Sequence, residues 1–267
     1  MSRWTATALL LFLLAGCARH APRTNIQLSV PRPTEAVPPA RVERSSTQPA
    51  ASTSAPKPGE PVVKVDAENG VISGRVCWEG APEAGTPGPR LRVHPANQGI
   101  ADAVIWLVNP PQGPMAPALE LQLLQREDTF RPHLQVGRKG SPLKLLSADD
   151  RASFRASGAA DFSALLPRGK QLLRTLDKPG LVEVRSELGP QLPAYLWIFD
   201  HDYFAQTDEE GRFRLPPLPP AEYQLVLWHE SWRGSDSVPL KPVSKDLKVK
   251  LGNDQGASIH WPLTARD

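Results

Sequence analysis

Ala194-Tyr195-Leu196-Trp197-Ile198-Phe199-Asp200 is the stretch whose reading decides the fold of this chain. A half-covered strand alternates apolar with polar residues, but Tyr195 to Phe199 is apolar on both faces and predicts a fully buried central strand. Downstream, Asp208-Glu209-Glu210-Gly211 separates Phe204–Thr207 from Phe213–Leu215. A four-residue turn ending in glycine suits a hairpin with one left-handed position, and its three acids read as an exposed turn. Working outward, short strands are expected at 71–78, 103–108, 119–125, 130–136, 142–147 and 180–185, then at 194–200, 212–215, 223–229, 247–251 and 257–262. Residues 161–166 read as one short helical turn. Short strands punctuated by Gly and Pro are the signature of sandwiches or barrels.

Composition agrees. Thirty of 267 residues are proline, about twice the usual share, which argues against a helical bundle because proline removes a donor and clashes with the preceding turn. The formal charge of +3 is local. Residues 18–60 hold six Lys/Arg against three acids, and 61–267 hold 24 against 25. A nearly neutral globular part carries no nucleic-acid footprint.

The N-terminus reads as an address. Arg3 precedes an apolar run from Ala6 to Leu14, too short for a bilayer span but fitted to a secretory h-region. It ends in Leu14-Ala15-Gly16-Cys17, which resembles the lipobox of bacterial lipoprotein precursors. The resemblance implies a signal peptide over 1–16 and lipidation of Cys17, whose two or three chains give stable anchoring. Ala18 stands where an aspartate would favour the inner membrane, pointing to the outer one. Residues 17–61 then read as a disordered tether, with nine prolines between 19 and 61 and no apolar run to bury. Cys77 is left without a disulfide partner and reads as a small packing residue.

Two resemblances refine the fold. The stretch Thr207-Asp208-Glu209-Glu210-Gly211-Arg212-Phe213, running on to Leu218-Pro219-Pro220-Ala221-Glu222-Tyr223-Gln224-Leu225, resembles the C-terminal half of a carboxypeptidase regulatory-like domain. This is a transthyretin-like and starch-binding-like accessory sandwich without peptidase chemistry, and Ala221 stands where it usually has glycine. Gly70 to Val76 looks like its opening strand. Between them, Phe130-Arg131-Pro132, Gly180 to Val184 and Ala194 to His201 resemble a cupredoxin. The expected organisation is therefore all-β. Strands at 62–102 and 201–267 belong to the regulatory-like sandwich, and 103–200 form a cupredoxin-like Greek key.

The copper chemistry of that family does not carry over. A type 1 site needs two imidazoles, a thiolate and usually an axial thioether. Ser153 stands at the first histidine position, Ser186 at the cysteine, Gly189 at the second histidine and Leu192 at the methionine. Residues 137–194 contain no His, Cys or Met. No cofactor is expected, and no hydrolase elbow, phosphate loop or zinc-protease motif appears.

The reading is a non-catalytic lipoprotein of the bacterial envelope, facing the periplasm or cell surface. Its lipid meets the membrane, and its partner is an envelope protein or a glycan. His229, in Trp228-His229-Glu230, together with Trp232 and His201 are the candidate binding residues. Two alternatives stand beside it. A metal-handling or electron-transfer protein would use non-standard ligands drawn from His94, His133, His201, His229 or His260, and a carbohydrate-binding module would use exposed aromatics such as Trp232.

Overall fold

The structure is a computed structural model describing residues 59–66, 70–79, 91–113, 115–127, 129–188, 192–235 and 238–264, with side chains left out over 231–242. All of them lie in one compact unit, residues 53–267. The signal peptide, Cys17 and nearly all of the expected tether fall outside the described residues, as does Gly189.

The described chain is all-β. Strands β1 (Val62–Asp66), β2 (Ile72–Trp78) and β3 (Val104–Leu107) come first, and β13 (Phe204–Gln206), β14 (Arg212–Arg214), β15 (Glu222–Ser235), β16 (Val238–Lys250) and β17 (Gly256–Leu263) come last. They build two facing four-stranded sheets, ordered β1-β17-β2-β14 and β13-β3-β15-β16. Ile72, Ile105, Leu225, Leu227 and Trp261 fill the space between them with almost no exposure. We call this the host sandwich.

The described strands between β3 and β13 form a second sandwich. Its strands are β4 (Leu121–Arg126), β5 (Thr129–Arg131), β6 (Leu134–Arg138), β7 (Ser141–Ser147), β8 (Arg151–Gly158) and β9 (Phe162–Pro167). They are followed by β10 (Gln171–Leu176), β11 (Gly180–Arg185) and β12 (Ala194–Phe199). One sheet runs β10-β7-β4-β5 and the other β6-β12-β11-β8-β9. Leu123, Leu145, Phe154, Val182 and Leu196 pack between the two.

The two sandwiches are nested, not strung in line. The chain leaves the host at Leu107 and returns on the neighbouring strand, where β13 pairs antiparallel with β3 through Trp106–Phe204 and Val104–Gln206. Residues 104–107 therefore belong to the host, one strand later than the expected boundary at 103.

The pattern of β12 now has its physical cause. Ala194, Leu196 and Ile198 face the inserted core, while Tyr195, Trp197 and Phe199 face Val104, Trp106 and Trp228 of the host. Alternation vanishes because both faces are covered by protein.

Three expectations fail for local reasons. Residues 162–166 lie in strand β9, paired with β8, and make no helical turn. The 130–136 strand breaks at Pro132, which offers no ladder donor, into β5 and β6 on different sheets. Asp208–Gly211 closes no hairpin, because β13 lies in one host sheet and β14 in the other. Gly211 turns the corner at φ 76°, and a Cβ there would stand 2.3 Å from the Val76 carbonyl.

Candidate functional site

Two of the four positions read as former copper ligands, Ser153 and Ser186, come together around Gln125, a residue the sequence reading missed. Ser153 lies on β8, Ser186 follows β11, and Gln125 near the end of β4 reaches both. The Ser153 backbone N–H donates to Gln125 Oε1 at 3.0 Å, and Gln125 Nε2 donates to Ser186 Oγ at 3.5 Å. Ser153 Oγ accepts from the Glu187 N–H at 3.3 Å, and Ser186 Oγ from the Leu188 N–H at 3.2 Å. Gln125 and Ser153 are buried at 2% and 3% exposure.

The arrangement has a structural logic. The β8–β11 ladder stops at the Arg155–Arg185 pair, so Ser153 and Glu187 lack the backbone partners that another rung would supply. Side chains of Gln125 and Ser153 take over, because a buried N–H without an acceptor is costly. Leu192, at the axial-ligand position, is 40% exposed. Gln125 was detectable in the sequence: alternation through Leu121 and Leu123 turns it inward, where an amide must find partners.

A second polar cluster lies where the sandwiches meet. His133 of the inserted sandwich places Nε2 2.6 Å from Glu230 Oε1 and 3.7 Å from Asp102 Oδ2, both in the host. Asp102 is held by Arg92 at 2.5 Å and accepts from Gln206 Nε2 at 2.8 Å. The neighbouring His229 is fully buried and donates from Nε2 to the Ala101 carbonyl at 3.2 Å. Desolvation pushes its pKa below the usual imidazole value, against the pull of Glu230. His229 is thus a neutral structural residue, and the binding role expected of it does not fit its burial.

Separately, a cleft of about 910 Å³ opens along the host–insert junction. Its aromatic wall includes Trp106 of β3 with Trp197 and Phe199 of β12. Trp106 and Trp197 pack with centroids 4.7 Å apart, and Trp197 stacks on Phe199 at 5.8 Å and 12°. Residues 109–113 and Met115, on the connector into the insert, line it as well. Asp202 fastens that connector: its carboxylate accepts from the Ala116 N–H at 2.8 Å and pairs with Arg138 at 2.7 Å.

His201 is half-buried and lines the cleft. The Tyr203 N–H donates to its Nδ1 at 3.1 Å, which leaves the ring proton on Nε2. Desolvation lowers its pKa and outweighs Asp200 and Asp202, so the ring is neutral near pH 7. Asp200 is exposed at the cleft, with no hydrogen-bond or ion-pair partner among the described residues. The side chain of Trp232 lies outside the described residues. Trp106 and Trp197, assigned to strands and hence to the core, pack against the junction core formed with Val104, Leu134, Phe199 and Trp228, and their partly buried rings also line this cleft.

Cys77 is buried near His260, with Sγ 3.3 Å from Nε2 and 3.4 Å from Nδ1, and Glu79 Oε1 lies 3.3 Å from His260 Nε2. Desolvation, helped by Glu79, pushes the thiol up to about 11. It is protonated at neutral pH and has no nucleophile's poise. The histidines named for a metal site scatter: His133 and His229 lie at the junction, His201 at the cleft and His260 beside Cys77. Among the described residues, no group of three or more His, Cys, Asp or Glu is arranged to hold a metal ion.

No protein-family model matches the chain, and no curated protein sequence matches it significantly. Among solved structures it is similar to a copper-containing nitrite reductase from Thermus scotoductus SA-01, at 16% identity over 34% of this chain and TM-score 0.28. The match spans a quarter of the reductase chain. It is also similar to a purple cupredoxin from Nitrosopumilus maritimus, at 10% identity over 29% of this chain and 98% of that one, TM-score 0.26. The pseudoazurin of Methylobacterium extorquens AM1 matches at 16% identity over 30% of this chain and 76% of that one, TM-score 0.25.

Proposed function

We propose that this chain is a lipid-anchored, non-catalytic binding protein of the bacterial envelope, in which a regulatory-like host sandwich presents a cupredoxin-like insert that has lost its copper site. One observation carries the loss: Gln125 occupies the space between Ser153 and Ser186 and hydrogen-bonds both. A neutral amide and two hydroxyls offer no thiolate or imidazole to copper, and their capacity is spent on each other and on the backbone. The copper positions have become part of the fold's own hydrogen-bonding. In this reading Cys17 carries the lipid and residues 17–61 act as a spacer, extended at about 3 Å per residue where proline-rich.

The test is copper titration of the purified chain with Cu(II) and Cu(I), reading bound metal by mass spectrometry and the visible spectrum. No stoichiometric copper and no thiolate-to-copper band are expected. Tight one-to-one binding would overturn the reading in favour of metal handling. For the anchor, Cys17→Ser should move the protein from the membrane to the soluble fraction, and retention after cleavage would refute lipidation.

A further inference from the structure

We infer that the cleft between the two sandwiches binds a neutral oligosaccharide, with Trp106 and Trp197 as the stacking platform and Asp200 and His201 as the polar contacts. The inference rests on the binding-protein reading and assigns it a ligand class and a place. The first argument is shape. At about 910 Å³ the cleft is near the upper end of small-molecule sites, which run about 300–1,000 Å³.

The second argument is the arrangement of its rings. Trp197 stacks on Phe199 at 12°, with Trp106 tilted onto Trp197 at 37°. Such a row, each ring partly covered by its neighbours, runs along one wall. It does not encircle a point, as an aromatic cage for an ammonium ion does. The ring surface that Trp106 and Trp197 leave uncovered along that wall suits the apolar C–H face of a pyranose.

Charge supplies the third argument. Asp202 is neutralised by Arg138, and His201 holds one proton on Nε2 because Nδ1 accepts from Tyr203. The polar lining therefore includes a donor in the His201 N–H and an acceptor in the Asp200 carboxylate, which has no partner among the described residues, beside the Asn109 and Gln112 amides. No free cation among its lining residues would hold an anionic ligand. A polyol, carrying donors and acceptors on the same carbon ring, meets both groups, and a carboxylate accepting from sugar hydroxyls makes the stronger, charge-assisted kind of bond.

The experiment titrates the purified chain with maltotetraose, cellotetraose and N-acetylated chitotetraose, reading tryptophan fluorescence and binding heat. A tetragalacturonate and tetramethylammonium serve as charged comparisons. At least one neutral tetrasaccharide should bind, quench the fluorescence and bind about tenfold or more weakly to Asp200→Ala and to His201→Ala, a loss expected for one good hydrogen bond. Both residues lie at the cleft's rim, and near-UV circular dichroism verifies that these variants keep the fold even where Trp106→Ala does not. Absence of binding by all three neutral sugars up to millimolar concentration overturns the inference. So does equal binding by wild type and both variants, or binding of the galacturonate or the ammonium ion in their place. Copper binding is measured separately, so failure here leaves the copper-free reading standing, and failure there leaves the sugar result interpretable.

Discussion

Replacing Gln125 by leucine removes the amide and keeps most of the volume. Two bonds then disappear, the one accepted from the Ser153 N–H and the one donated to Ser186. Each is worth about 1 kcal/mol net, and the Ser153 N–H, in a residue 3% exposed, is stranded at a further cost of about 1–3 kcal/mol. The ladder offers no substitute acceptor, because β8 and β11 part at Arg155 and Arg185. The expected destabilisation is about 3–5 kcal/mol, a fall in Tm of roughly 6–20 °C for a unit of this size. Calorimetry and urea unfolding measure it. Gln122→Leu, at an exposed position on the same strand, should stay within about 0.5 kcal/mol of wild type. If Gln125→Leu unfolds with the wild type, the amide does not bind the two strands together. The proposal that hydrogen bonds have replaced a copper site would then fail.

Three further outcomes follow from other sites. The Cys77 thiol, raised to about 11 from 9.0, keeps its stabilising contribution below pH 9 and loses it as pH rises toward 11. Wild type should therefore lose on the order of 2 kcal/mol more than Cys77→Ala across that window in urea unfolding, and parallel curves would show the thiol to be unshifted. His229, held neutral by burial, contributes stability above about pH 6.5 that is lost as pH falls. His229→Gln keeps a donor for Ala101, so its unfolding midpoint should decline less than wild type between pH 7.5 and pH 5, and an equal decline would place the titration elsewhere. Gly211→Ala forces a Cβ to 2.3 Å from the Val76 carbonyl at φ 76° and should cost at least about 2 kcal/mol, visible as a lowered Tm. An unchanged Tm would mean that the turn relaxes freely.

What the sequence disclosed depends on whether the cause was local. Tyr195 to Phe199 announced a strand covered on both faces because solvent exclusion from both sides leaves its mark on every residue. Nesting leaves no such mark, since it consists in pairing Val104–Leu107 with Phe204–Gln206 across the whole insert. Strand β10 was overlooked because it lies at a sheet edge, largely exposed, so its residues lack clean alternation. Strand β8 was overlooked because it is built from Ala, Ser and Arg, which carry little strand signal. Alternation suffices to turn Gln125 inward, but only coordinates show that its two neighbours are the aligned ligand positions. Trp106 and Trp197 pack against the junction core as their strand positions imply, but strand position says nothing of the cleft that they also line.

The nesting has a consequence for biosynthesis. Strands β1, β2 and β3 leave the ribosome first, yet their sheets need β13 to β17, which emerge last. The early strands must wait, unpaired along their edges, while the middle of the chain is made. The insert needs no such delay, because its nine strands are contiguous in sequence. Once folded, it brings its own ends together, so that 107 and 204 meet without the entropy cost of closing a long flexible loop. It also supplies Leu134, Tyr195, Trp197 and Phe199 as the lid for Val104 and Trp228, which would otherwise stand wet on the outside of the host. The middle of this protein therefore serves as the template on which its two ends are joined.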